Sequence, residues 1–381
     1  MIYLDYNGST PVDPRVAEQV EVISASYANP SSTQHSLGRE AAESIEEARH
    51  RVASFTSSRA RDVIFTSGAS EAATIGIVGA MLGVPDRPNV VVGATEHKAI
   101  LAAAELGARL CGGEVRSVRV SPSGELDLNH LESLVDETVS LVAAMAANNE
   151  TGVIHPSRAI GEITARSGAM FFVDATQLAG KAPLAEASSI ADLMVLSSHK
   201  IYGPKGAGAL IADRHAQVRL VPLFPGGGQE RGLRGGTQNT SAIAGFGLAA
   251  ELAAKELRAD EERLKALAST LLEELKASLP GIVELNGSKA NRLINTLNLR
   301  FVGADADAVM ASMPDVAVSS GSACQSAVPT QSHVLLAMGL SDLEASESLR
   351  ISLGRPTTES EVSRATERIV EAVTRVRELS A

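Results

Sequence analysis

Along the first two thirds of the chain, short apolar runs alternate with segments whose apolar residues recur at helical spacing. The runs read DVIFTSG, NVVVGATEH, VSLVAAMAANNETG, AMFFVDATQ, ADLMVLSSHK and AGALIAD, and each closes in small or polar residues. Residues 36–56 are one of the helical segments between them. Alternation of this kind predicts an α/β layer with a mainly parallel sheet covered on both faces.

From residue 242 to 279 the pattern turns helical, and AAKELRADEERLKALASTLLEELKASL is amphipathic until Pro280-Gly281 ends it. Its charges read as a solvated helix face. Beyond Pro280, strand-like pieces (RLINTLNLRF, DVAVSSGSA, LRISLG) mix with helical ones, which predicts a smaller α+β domain. The expected division is a large α/β domain over 15–250 and a small domain made of 1–14 and 251–381.

The composition narrows the classes open to such a fold. With 381 residues, 44% hydrophobic and 21% charged, the chain is long enough for two globular domains. A formal charge of −11 argues against direct nucleic-acid binding, which needs a basic surface. The uncharged run 72–85 is interrupted by Gly76, Gly79, Gly83 and Pro85, so no membrane span is expected. The opening MIYLDYNGSTPVDP lacks the pattern of a secretory signal, and two cysteines make neither a disulfide framework nor a Cys-based zinc site, so a reducing cytoplasm is expected. No metal site is expected either, since the eight histidines show no ligand spacing.

Against that background one lysine stands out. In ADLMVLSSHKIYGPKGAGAL, Lys200 sits where a buried strand gives way to a Gly/Pro-rich loop, a position suited to a Schiff-base lysine as well as to an ordinary surface lysine. In VIFTSGASEAATIGI, backbone N–H groups of Gly68, Ala69 and Ser70 at a helix start suit a phosphate, unless Ser67 or Ser70 is simply the N-cap. Asp174 closes the run AMFFVD, with Gln177 three residues on; a carboxylate there suits a protonated ring nitrogen, a helix cap or a Mg²⁺ ion. His97 suits ring stacking and proton transfer, or capping. Asn148 and Asn149 suit a turn or a ligand, while Ser197 and His199 flank Lys200. Cys111 reads as a small buried hydrophobe. Cys324, in the polar SSGSACQSAVPTQSH, reads as an accessible nucleophile. The segment GGGQERGLRGGTQN offers Arg231, Arg234 and Thr237 to an anion, and Arg350 or Arg355 of LRISLGR suits a substrate carboxylate or a salt bridge.

Taken in order, TSGASE, TEHKAI, NNETG, VDATQ, SSHKIYGPKG, RGGTQN, SSGSAC and SLGR resemble the cysteine desulfurases, which are fold-type-I enzymes dependent on pyridoxal 5'-phosphate (PLP) within the class-V aminotransferase family. The resemblance spans nearly the whole chain. It implies a large domain with a mainly parallel seven-stranded sheet and a smaller α+β domain carrying a catalytic cysteine loop at about 318–332. Lys200 is then the lysine that carries PLP, Asp174 pairs the ring nitrogen, and His97 stacks on the ring and acts as acid-base partner for the thiols. Ala69, Ser70, Ser197 and His199 hold the phosphate, with Thr237 reaching in from the second subunit of a homodimer, and Gln177 contacts the phenolic oxygen. Asn149 and Arg350 grip the carboxylate of L-cysteine. Cys324 takes the substrate sulfur as a persulfide, leaving L-alanine, and passes it to a protein acceptor that serves iron-sulfur clusters or tRNA or DNA sulfur modification.

Three positions depart from the family pattern: Gln229 in the GGGxE segment, Asn7-Gly8 near the start, and Gln325 after the cysteine. The chain stops at Ala381 soon after its last helical pattern, which leaves the acceptor open. The nearest competing reading is another PLP reaction on the same fold with Cys324 a bystander. A non-enzymatic copy would have no chemical reason to keep Lys200, Asp174 and His97 together.

Overall fold

The apolar runs fold as the alternation predicts. A computed structural model describes residues 1–320 and 331–380 of the protein. Past a two-residue strand β1 (Ile2–Tyr3), seven strands form one sheet: β2 (Val63–Thr66), β3 (Asn89–Gly93), β4 (Val115–Val118), β5 (Val139–Met145), β6 (Met170–Asp174), β7 (Leu193–Ser197) and β8 (Gly208–Ala212). Their order across the sheet is β2-β8-β7-β6-β5-β3-β4. Only β8 runs against its neighbours; the other pairings are parallel.

Side-chain alternation sends each strand into two cores. Val91, Val142, Phe171, Val173 and Met194 pack on one face, with Ile45, Val52, Ile160 and Phe246 from covering helices. Val90, Val92, Leu141, Phe172, Leu193 and Val195 pack on the other, against the helices Ala69–Leu82 and Lys98–Cys111. Phe171 and Phe172 thus serve opposite cores, and truncating either to Ala would cost about 3–5 kcal/mol. A parallel sheet with helices on both faces must be apolar on both faces, which is why the runs are continuous.

A second, smaller layer follows. β9 (Val283–Leu285), β10 (Thr296–Phe301) and, after β11 (Val316–Ala317), β12 (Ser348–Ser352) form an antiparallel sheet in the order β12-β10-β9, while β1 pairs with β11. Leu297, Leu299, Leu349 and Ile351 point into a core shared with the helix Glu359–Ser380 and with Ile2 and Leu4. The alternate residues Thr296, Asn298, Ser348, Arg350 and Ser352 are buried polar groups. One helix, Thr240–Ser278, joins the two cores: Ala242 to Ala253 lie in the first, and Leu264, Leu267, Leu271 and Leu275 in the second. At 39 residues it is about 58 Å long.

This topology settles where chemistry gathers. β2, β3, β5, β6 and β7 are mutually parallel, so TSGASE, TEHK, NNETG, VDATQ and SSHK all emerge at the carboxyl edge of the sheet, where open α/β sheets present ligand-binding groups.

Candidate active site

Lys200 ends a single 3₁₀ turn, Ser198–Lys200, directly after β7. Its Nζ donates to the carbonyl oxygens of Asn7 at 2.6 Å and Gly8 at 2.7 Å. On the adjacent strand Asp174 is 8% exposed, and one carboxylate oxygen accepts from the amide of Thr176 at 2.9 Å. His97 caps the helix Lys98–Cys111, with Nδ1 accepting from the amide of Ala99 at 3.1 Å. In the neutral ring the proton therefore sits on Nε2. Burial pulls the His97 pKa below its ordinary value; Asp174 pulls it up and Lys200 down.

Gln177 reaches the same point from the turn after β6. Its Nε2 donates to the Asn7 carbonyl at 3.0 Å, so Gln177 and Lys200 share one acceptor. Asn7 is 1% exposed and ties both layers together, its Nδ2 donating to the Asn149 carbonyl at 3.1 Å and to Thr296 Oγ1 at 2.9 Å. Arg350, on β12, donates from Nη1 to the same Asn149 carbonyl at 3.1 Å and from Nη2 to Asp5 at 2.5 Å. Its buried Nε has no partner among the described residues.

The two adjacent asparagines separate cleanly. Asn148 is 1% exposed, and its Oδ1 accepts from the amides of Glu150 and Thr151, both at 2.9 Å, while Nδ2 donates to the Thr95 carbonyl. The half-buried Asn149 side chain makes no hydrogen bond among the described residues, which leaves it for a ligand.

At the other end, the helix Ala69–Leu82 starts with Gly68 as N-cap and no side-chain cap. Neither Ser67 nor Ser70 caps it; the Ser67 amide instead donates to Glu71 at 2.7 Å. The first-turn amides are thus without a side-chain acceptor and suit an anion. Buried Ser197 lies beneath, its Oγ 3.9 Å from where a Cβ on Gly68 would stand. Gly208 on β8 makes room for that turn: a Cβ there would lie 2.6 Å from Gly68 Cα. His199 Nδ1 is 3.1 Å from Ser9 Oγ, and burial, then Lys200, push its pKa down to about 4.

Thr237 is exposed, and no hydrogen bond among the described residues brings it to this cluster. Arg234 and Arg231 are occupied elsewhere, by Glu71 at 2.7 Å and by the Val63 carbonyl at 2.6 Å. Arg355 is likewise structural, paired with Asp260, Glu256 and Asp13 and lying 4.4 Å over the Tyr202 ring. Cys324 lies outside the described residues. The chain on either side of it is fixed beside the site: Ser319 exchanges backbone hydrogen bonds with Arg350, and Ser332 Oγ donates to buried Glu150 at 2.5 Å.

A family comparison completes the picture. Residues 2–365 match the family described as aminotransferase class-V. The chain belongs to that family. Among curated relatives, a "Cysteine desulfurase" of Frankia sp. (strain EuIK1) is 48% identical over 100% of this chain and 93% of its own. Among solved structures, a "NifS-like protein" superposes with a TM-score of 0.90 at 33% identity, covering 98% of this chain and 99% of that one. "SspA in complex with cysteine" superposes at 0.80 with 32% identity, over 93% and 99%. The class-V fold is the fold-type-I architecture, and the cofactor of these desulfurases is PLP.

The residues of this class-V protein fit that cofactor. Asp174 offers a ring nitrogen the carboxylate oxygen that Thr176 leaves unused, the uncapped helix start above Ser197 offers donors to a phosphate, and Lys200 stands between them. A buried, unpartnered Thr176 Oγ1 lies at the same strand end.

The sequence reading missed Asn7 as a hub, along with Lys181, Glu96 and Glu150. Lys181 lies four residues after Gln177 and bonds to it. Glu96 is 1% exposed, accepts from the Met145 amide at 2.8 Å, and is pushed well above the usual carboxylate range by burial. Asn7 stood out only as a departure from the family pattern, Glu96 and Glu150 lie inside the TEHKAI and NNETG motifs without a role of their own, and nothing in the sequence marked Lys181.

Proposed function

We propose that this protein is a PLP-dependent cysteine desulfurase that converts L-cysteine to L-alanine and holds the sulfur as a persulfide on Cys324. The observation that carries the reading is the Lys200 amine, at the end of β7 beside Asp174 and His97, under the site where Arg350 and Asn149 meet. When bound, PLP supplies an electron sink for bonds at the Cα of the amino acid.

The residues divide the work around it. Lys200 holds the cofactor and, when free, moves protons at the substrate Cα; its rest on the Asn7 and Gly8 carbonyls gives the released amine a place. Asp174 holds a proton at the ring nitrogen. Ala69, Ser70, Ser197 and His199 bind the phosphate, and Gln177 the phenolic oxygen. Arg350 and Asn149 orient the substrate carboxylate. His97 stacks on the ring and moves a proton at the thiols from Nε2. The Cys324 thiolate attacks the substrate sulfur, the S–Sγ bond forms as the C–S bond breaks, and the carbon gains a proton to give alanine. Atoms balance as L-cysteine plus thiol giving L-alanine plus persulfide.

Exposed Thr237 supports a homodimer in which it completes the phosphate site of the partner. A division into 15–250 and 1–14 with 251–381 is supported by the change of core within the helix Thr240–Ser278, which falls a few residues later, between Ala253 and Leu264. No described helix is long and apolar enough to cross a membrane, and we place the enzyme in the cytoplasm. A protein acceptor then takes the sulfur toward iron-sulfur clusters, tRNA or DNA.

The test is the visible spectrum of the purified protein followed by alanine and persulfide assays with L-cysteine. A band at about 400–430 nm from lysine-bound PLP, both products, and loss of persulfide in Cys324→Ser are expected. A band with neither product would refute the desulfurase reading.

A further inference from the structure

Lys181 is a second lysine at the heart of the site. Its Nζ lies 2.5 Å from Gln177 Oε1 and 3.0 Å from Asn7 Oδ1. An ammonium gives hydrogens and has no lone pair, so both amide oxygens must face it. A neutral amine would still give its two hydrogens to the same two oxygens. The point matters because burial, then Lys200 and Arg350, push the Lys181 pKa well below its ordinary value.

Either way, the flips of both amides are fixed. Gln177 turns its Nε2 to the Asn7 carbonyl at 3.0 Å, and Asn7 turns its Nδ2 to Asn149 and Thr296. Reversing Gln177 would set its Oε1 against the Asn7 carbonyl, acceptor against acceptor, and, with Lys181 as an ammonium, an NH₂ against a nitrogen that has no lone pair. Two amides therefore connect Lys181 to the carbonyl on which the Lys200 amine rests.

We propose that Lys181 is a positioning residue: by holding the oxygens of Gln177 and Asn7, it makes Gln177 a hydrogen-bond donor toward the cofactor and aligns the carbonyl that receives Lys200. This rests on the reading of the site as a PLP site with Gln177 at the phenolic oxygen. Nε2 carries two hydrogens and spends one on Asn7, so the group it offers to that oxygen is an N–H. A donor favours the anionic form of the oxygen and lowers the pH at which the lysine-bound cofactor band titrates.

The experiment is a spectroscopic pH titration of the PLP-loaded protein. In Lys181→Met the Gln177 Oε1 loses its donor and the amide is oriented by the Asn7 carbonyl alone, and the midpoint of the visible band rises by about one unit, a tenfold change in proton affinity, with cofactor content unchanged. Lys181→Arg, which restores an all-donor cation, brings the midpoint back. In a Gln177→Leu background, Lys181→Met moves the midpoint no further, because its effect passes through the amide. An unmoved midpoint in Lys181→Met overturns the proposal while leaving the PLP reading intact. So does an equal shift in both backgrounds, which would mean that the charge acts directly. Wild-type protein with no visible band would overturn the PLP reading itself, and this proposal with it.

Discussion

Asn148 and Asn149 look interchangeable in the sequence, and the structure separates them by their hydrogen bonds. Replacing Asn148 by Ala removes the acceptor of two backbone amides, Glu150 and Thr151, and the donor to the Thr95 carbonyl, in a site 1% exposed where water does not substitute. Each buried group left unpaired costs about 1–3 kcal/mol. Two stranded amides and one carbonyl make at least about 3 kcal/mol. Unfolding entropy of about 2.1 cal/mol/K per residue, over 381 residues, is near 0.8 kcal/mol/K, so Asn148→Ala lowers Tm by about 4 °C.

Asn149→Ala removes no side-chain hydrogen bond among the described residues, so its Tm stays within about 1 °C of wild type. Its loss falls on the substrate. A hydrogen bond to a charged carboxylate is worth about 1.5–3 kcal/mol, which lowers kcat/KM for L-cysteine about 10- to 150-fold. Calorimetry of both variants, together with initial rates of alanine formation, checks the assignment. Wild-type kcat/KM in Asn149→Ala, or an Asn148→Ala melting curve that overlays wild type, would refute it.

Two further outcomes follow from the geometry. Gly208→Ala places a Cβ 2.6 Å from Gly68 Cα, backbone that has little freedom to move; a cost of about 1–3 kcal/mol and weaker PLP retention are expected, measured by equilibrium dialysis, and unchanged retention would count against a phosphate seat at that turn. His155 is 2% exposed with both ring nitrogens unpartnered, and burial pushes its pKa down to about 4 from 6.5, Glu125 opposing. Between those values the unfolded chain binds more protons, so stability is complete above pH 6.5 and is lost as pH falls through about 4, by about 3 kcal/mol from this group. His155→Leu flattens that part of the Tm-against-pH curve, and an unchanged slope would contradict the burial argument.

What the sequence showed was local. An apolar run closed by small polar residues is a complete message about a buried strand and its carboxyl end, so the layer order and the motifs at its edge were readable. Groups that become neighbours only through folding were not. Asn7 meets Gln177, Lys181 and Lys200 from more than 160 positions away, and no periodicity foretells that. Arg234, Arg350 and Arg355 were offered alike to an anion by the sequence, yet Arg234 and Arg355 neutralise structural carboxylates while Arg350 keeps an Nε with no partner among the described residues. The helix Thr240–Ser278 reads as one amphipathic pattern, although its two ends serve different cores. At the start of the helix Ala69–Leu82 the sequence offered two serines as caps, and the fold uses Gly68, which leaves the first-turn amides without a side-chain acceptor.

The electrostatics of the cluster run against the charge of the whole chain. A protein at −11 gathers Lys200, Lys181, Arg350 and a helix start with no side-chain cap at one end of its sheet. The nearby carboxyls divide by environment. Burial raises Glu96 well above the usual range, and raises Glu150 against the opposing pull of Ser332 and Arg350. Asp5 and Asp174 each have a donor already in place, Arg350 for one and the Thr176 amide for the other. The balance favours ligands with more than one negative group, and a phosphate-bearing cofactor with an amino-acid carboxylate supplies them. Net acidity then keeps the protein surface solvated without opposing binding, because the charges that face solvent are screened within about 10 Å at 0.1 M salt and those at the site are not.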